Sequence, residues 1–154
     1  MALFFLDSST VVKRYVRERG TPWVMHLTHP GARNALYLAR TTGVEVISAA
    51  ARRQRFGVLS AAQAAQILAD FRFDLARQYR LVGITPNLIE DAMLLAERHG
   101  LRGYDAIQLA AALQTHSRFS SRYRAGLTLI SADVALNAAA QLEGLSVDDP
   151  NAHP

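Results

Sequence analysis

The chain has 154 residues, half of them hydrophobic and 19% charged, which supplies a core for one packed domain and is too apolar for a disordered chain. There is no cysteine, so disulfides, zinc ribbons, iron–sulfur sites and a thiol nucleophile are excluded. Seventeen basic residues against 13 acidic ones leave a formal charge of +4, a mild bias towards anionic partners with nucleic acid first among them.

The longest uncharged runs, such as Phe56–Ala69, are too short to span a bilayer and carry Gln and Ser. The start, Met-Ala-Leu-Phe-Phe-Leu-Asp, lacks the basic region of a signal peptide. The expectation is a cytoplasmic protein with no membrane partner.

In chain order, Ala2–Leu6 is a short apolar run that reads as a central parallel strand. Ser8, Ser9 and Thr10 are capping residues before a helix over Val11–Arg19, stopped by Gly20. A short helix over Thr21–Leu27 has Pro22 in its first turn, and His29-Pro30-Gly31 is a break. Ala35–Ala39 reads as the second strand, followed by a helix over Val44–Arg55 and a long one over Ala61–Tyr79 capped by Ser60. Leu81–Ile84 is the third strand. Thr85 and Pro86 open a helix that ends at His99-Gly100. Tyr104–His116 is a helix apolar nearly all round, hence buried. Leu127–Ile130 is the fourth strand, Val134–Leu142 a helix closed by Gly144, and Leu145–Val147 the fifth strand. Ser117–Gly126 reads as a basic surface loop, and Asp149–Pro154 as a tail that frays. Strands alternating with helices define an α/β domain with a parallel sheet.

Four acids stand out against this frame. In such sheets ligands sit beyond the carboxyl ends of the strands, where strand order reverses. Asp7 ends the first strand and Asp133 lies just past the fourth. Glu45 and Asp105 fall in the first turns of otherwise apolar helices. Each has a plain structural reading: Asp7 and Asp133 as helix caps, Glu45 and Asp105 as partners of a helix dipole. Together they form a cluster whose repulsion and desolvation a divalent cation would relieve. Oxygen-only donors point to Mg²⁺ or Mn²⁺. In a basic protein that combination points to phosphodiester chemistry.

The sequence resembles the PIN-domain ribonucleases, and within them the VapC-type toxins of type II toxin–antitoxin pairs. The resemblance is carried by Phe4-Phe5-Leu6-Asp7-Ser8-Ser9 with Val12-Lys13-Arg14-Tyr15, by Val44-Glu45-Val46, by Gly103-Tyr104-Asp105-Ala106-Ile107-Gln108-Leu109-Ala110-Ala111-Ala112, by Ser131-Ala132-Asp133 and by Glu143-Gly144-Leu145. It implies a single PIN-like three-layer α/β/α domain over residues 1–150 with a central five-stranded parallel sheet, and a frayed tail over 151–154. It further implies a metal-dependent endoribonuclease, a homodimer, and a cognate VapB-like antitoxin. Asp7, Glu45, Asp105 and Asp133 would be the catalytic, metal-holding tetrad, with Ser8 and Ser131 as supporting or substrate-contacting hydroxyls. The alternatives are a PIN-fold module that binds RNA or protein without catalysis, and a housekeeping RNA-processing nuclease.

Arg52, Arg53 and Arg55 follow Glu45, with Arg52 two turns on and near the same face, either as solvated charges or as phosphate contacts. Lys13 and Arg14 read as a solvated face. Arg118, Arg122 and Arg124 interleave with Phe119 and Tyr123, a pattern that can bind single-stranded RNA. The five histidines lack ligand spacing, and Asp74 with its acidic neighbours reads as exposed. Trp23 reads as packing.

Overall fold

The computed structural model describes residues 1–119 and 126–153. Its strands are β1 (Leu3–Leu6), β2 (Ala35–Ala39), β3 (Tyr79–Val82), β4 (Leu127–Ile130) and β5 (Ser146–Asp148). All pair in parallel, in the order β3-β2-β1-β4-β5. The helices are α1 (Ser8–Tyr15), α2 (Thr21–Leu27), α3 (Thr42–Arg55), α4 (Ala61–Arg77), α5 (Pro86–His99), α6 (Gly103–Phe119) and α7 (Val134–Leu142).

The strands are short and almost wholly apolar because both faces are covered. Successive side chains alternate between faces. Leu3, Phe5, Tyr37, Leu127 and Leu129 pack under α5, α6 and α7, while Leu6, Leu36, Leu38 and Ile130 pack under α1 to α4. The result is the expected three-layer α/β/α domain with a five-stranded parallel sheet. Among the described residues no helix is long and apolar enough to cross a membrane.

The sheet starts at β1, grows outward through β2 to β3, then returns to the other side of β1 with β4 and β5. The reversal therefore lies between β1 and β4, the strands whose ends carry Asp7 and lead to Asp133. The backbone N–H of Asp7 donates to Ile130 O at 3.0 Å, continuing the ladder to the edge of the crevice.

Several boundaries differ from the sequence expectation. Helix α1 starts at Ser8, because Asp7 itself caps it by accepting from the Ser9 N–H at 3.3 Å. It stops at Tyr15, where Val16 turns extended. Strand β3 begins at Tyr79, paired with Leu36, two residues before the expected start. There the Tyr79 hydroxyl accepts from Arg14 at 2.8 Å and meets the Tyr15 hydroxyl at 3.2 Å. Helix α6 runs on to Phe119 and takes in the start of the expected loop; Arg122, Tyr123 and Arg124 lie outside the described residues.

The tail expected to fray is instead docked. Pro150–Ala152 form a 3₁₀ helix capped by Asp149, Pro150 is buried, and His153 stacks on Trp23 with centroids 4.2 Å apart. Gly20 makes the approach possible: its φ of 84° is left-handed, and a Cβ there would collide with the Pro150 carbonyl.

Arg14 and Asp74, expected on solvated faces, form an ion pair at 2.9 Å between α1 and α4, with side chains 14% and 20% exposed. Asp74 also accepts from the Tyr15 hydroxyl at 2.8 Å. Removing one partner leaves the other charge unpaired and largely shielded from water. Asp74→Ala is expected to cost about 2–4 kcal/mol and to lower Tm by roughly 5–10 °C, read by thermal unfolding. Arg14→Met added to Asp74→Ala should recover part of that loss.

Candidate functional site

Asp7 is 3% exposed and lies deepest. Its Oδ2 accepts from the Ser9 hydroxyl at 2.7 Å, the Ser131 hydroxyl at 3.1 Å and the Ser9 N–H. The same two hydroxyls accept in turn from the loop after β4: Ser9 Oγ from Ala132 N and Ser131 Oγ from Asp133 N, both at 3.0 Å. Two serines thus bolt the β4–α7 loop onto Asp7. Asp7 Oδ1 has only a long 3.4 Å contact with Ser8 Oγ, and it is the oxygen left for a ligand.

Glu45 reaches the crevice from the first turn of α3. The Ser8 hydroxyl donates to its Oε2 at 2.7 Å and the Gln108 amide to its Oε1 at 3.0 Å. Ser8 has one proton, so the shorter bond to Glu45 holds it rather than Asp7. Burial pushes the Glu45 carboxyl above its usual range, against the two hydrogen bonds and with a further push from Asp7. Gln108 is fully buried, divides its two N–H donors between Glu45 and Thr42 Oγ1 (2.9 Å), and leaves its own Oε1 without a partner among the described residues.

Asp133 caps α7, its Oδ1 accepting from Leu136 N at 2.8 Å. The plain capping readings of Asp7 and Asp133 are thus realised, and in each capping leaves one oxygen open. Asp105 has no hydrogen bond or ion pair among the described residues. Burial, then the charges of Asp133 and Asp7, with a smaller push from Glu45, raise its carboxyl to about 6 against the pull of Arg102. The like charges of Asp133, Asp7 and Glu45 thus all bear on Asp105.

Among the described residues, no three acidic or histidine side chains are drawn together tightly enough to hold an ion as they stand. Each carboxylate is held by its own donors: Asp7 by Ser9 and Ser131, Glu45 by Ser8 and Gln108, and Asp133 by Leu136 N. The donor set nonetheless fits a hard divalent cation. Its donors are all carboxylate oxygens, with open positions on Asp7, Asp105 and Asp133, and one of them is destabilised by its like-charged neighbours.

A cleft of about 500 Å³ opens beside the acids, lined by Ser8, Ser9 and Glu45 at one end and Arg52 and Arg53 at the other. Lys13, expected to be solvated, lines it as well, 6% exposed and paired with Glu18 at 3.3 Å. Glu18 also takes Arg53 at 2.5 Å. Sequence reading missed Gln108 and the bolting role of Ser9. Gln108 could have been found as the polar residue one turn past Asp105 on an apolar helix.

No protein-family model and no curated protein matches the chain in sequence. Solved structures do match its fold. FitAcB from Neisseria gonorrhoeae superposes with a TM-score of 0.67 at 18% identity, over 96% of this chain and 98% of that one. A toxin–antitoxin complex from Klebsiella pneumoniae gives 0.62 at 20% identity, over 97% and 98%. The sarcin–ricin-loop-cleaving toxin VapC20 of Mycobacterium tuberculosis gives 0.63 at 17% identity, over 88% and 94%. The chain has the PIN-like fold of these VapC- and FitB-type proteins.

The raised Asp105 carboxyl fixes a sign for pH. A folded-state value near 6 lies above the ordinary unfolded value of about 4. The folded state therefore holds this proton more tightly, and Asp105 ionisation destabilises the fold. The penalty is absent below about pH 4 and complete above about pH 6. In metal-free buffer at pH 7.5, Asp105→Asn is expected to raise Tm by a few degrees, about 1 kcal/mol after allowing for solvent screening. The gain should vanish at pH 4. Thermal unfolding of both proteins across this range is the measurement.

Proposed function

We propose that the protein is a Mg²⁺- or Mn²⁺-dependent endoribonuclease, the toxin of a toxin–antitoxin pair. The reading rests on one observation above the rest: the charges of Asp133, Asp7 and Glu45 all act on Asp105 beside the β1–β4 crevice, and the cleft that begins at Glu45 is lined with Lys13, Arg52 and Arg53. The fold shared with proteins of toxin–antitoxin complexes supports it.

Asp7, Glu45, Asp105 and Asp133 would hold the metal. A bound divalent ion supplies an activated water and stabilises the leaving 3′ oxygen. The chain's residues do the rest. Ser8 and Gln108 aim Glu45, and Ser9 and Ser131 fix Asp7. One of the four carboxylates would also accept the proton of the attacking water. Arg52 holds a phosphate of the RNA beside the acids. Titration calorimetry of the intact chain should show Mg²⁺ or Mn²⁺ binding in the micromolar to millimolar range, about −4 to −8 kcal/mol, and Asp7→Asn should weaken it. The same titrations paired with RNA cleavage test the reading. Asp105→Asn should remove cleavage while the protein stays folded, and a folded variant cutting at the wild-type rate would take Asp105 out of the site.

The partner follows from the same charges. An acidic pocket in a basic protein suits an arginine side chain, which can pair with carboxylates through two parallel hydrogen bonds. A VapB-like antitoxin is expected to lay its C-terminal segment near α1 and α2 and place an Arg or Lys among the acids of a homodimeric toxin. A structure of the complex with the acids left open to metal would contradict this mode.

A further inference from the structure

The cleft does not end at the arginines. A second cavity of about 340 Å³ shares Ala49, Arg52 and Arg53 with it and is bounded beyond them by Phe56 and Val58. Joined through these residues they make a groove along α3, with the Glu45 carboxylate at its start, guanidinium groups in its middle and an aromatic ring at its end. Phe56 is 71% exposed at the C-cap of α3 and Val58 is 68% exposed. Arg52 is exposed and has no ion pair or side-chain hydrogen bond among the described residues, whereas Arg53 is held against the wall by Glu18.

From these juxtapositions we infer that the groove along α3 is a track for single-stranded RNA, in which Arg52 takes a backbone phosphate and Phe56 stacks a base remote from the scissile bond. The inference rests on the nuclease reading for what lies at the acidic end, and on the groove alone for the rest. Glu45 and Phe56 are eleven residues apart on one helix, about 16 Å at 1.5 Å per residue. At the stacked spacing of about 3.4 Å that distance spans at most roughly five nucleotides. Cations interleaved with an exposed ring form a platform for single strands, because every base has a face to stack while a duplex has none free. A docked helix would need several apolar anchors at helical spacing. This stretch offers Phe56 and Val58 between arginines, so charge favours a polyanion. Glu18 serves the track as a positioning residue. By bridging Lys13 and Arg53 it keeps two long cationic side chains along the wall and leaves Arg52 as the unpaired charge.

The test is binding by the full chain in metal-free buffer, followed by fluorescence anisotropy of a labelled single-stranded oligouridylate of about twelve nucleotides, and of the same strand annealed to oligoadenylate. Phe56→Ala is expected to weaken single-strand binding roughly ten-fold or more and leave the duplex unaffected. Phe56→Tyr should stay close to wild type. Arg52→Ala should reduce the slope of log affinity against log salt by about 0.7. Phe73→Ala, a change at another exposed ring (57% exposed), should have no effect. Wild-type binding by Phe56→Ala overturns the inference, as does a wild-type chain that does not bind the single strand. Loss of self-association or of antitoxin binding in Phe56→Ala, with RNA binding intact, would make the groove a protein interface and also overturn it. Cleavage assays with Mg²⁺ separate the two readings. Active enzyme whose KM ignores Phe56→Ala removes the track alone, whereas Phe56-dependent binding without any cleavage removes the nuclease and keeps the track.

Discussion

The Asp7 carboxylate is the pin on which the crevice turns. It ends the central strand, caps the helix that follows without a connecting loop, and draws Ser9 and Ser131 onto one oxygen. Those serines carry the loop after β4 with them, so a single buried charge fixes the mutual position of β1, α1 and the start of α7. Burying a carboxylate this deeply is tolerable only with such donors around it. The local donors gather on Oδ2, while Oδ1 keeps only the long 3.4 Å contact with the Ser8 hydroxyl.

The layers and the parallel sheet were legible because they rest on local signals: apolar runs of strand length and helix caps. Asp7 and Asp133 could be placed at the strand-order reversal because the chain alternates strand and helix and both follow strands that flank it. What was not legible depends on partners distant in sequence. Arg14 and Asp74 look like ordinary surface charges, and only the packing of α1 on α4 shows each what it pairs with. Tyr79 reads as the end of an amphipathic helix, yet its pairing with Leu36 makes it a strand residue. The terminal segment reads as loose because nothing nearby in sequence announces Trp23 and Gly20 as its dock.

Charge is laid out as a gradient along α3. Its N-terminal turn carries Glu45 into the acidic end, and its last turn carries Arg52 and Arg53. The arginines sit where the helix dipole favours cations; Glu45, at the end that favours anions, still has its carboxyl raised by burial and by Asp7. Glu18 then cancels part of the positive end, pairing with Lys13 and Arg53 but leaving Arg52 alone. The cleft along α3 therefore carries Glu45 at one end and the unpaired charge of Arg52 at the other.

The chain has a single tryptophan, and it sits half-buried on α2 against the core beneath α1 to α4. Trp23 lies flat on His153, whose Nε2 donates a hydrogen bond to Asp148 Oδ1 at 2.8 Å. An indole stacked on an imidazole emits according to whether the terminal 3₁₀ turn that carries the imidazole is seated. Intrinsic fluorescence of this protein is therefore a gauge of its C-terminal latch. A spectroscopist following it during denaturation would see the edge strand release, and would need a different probe to watch the crevice.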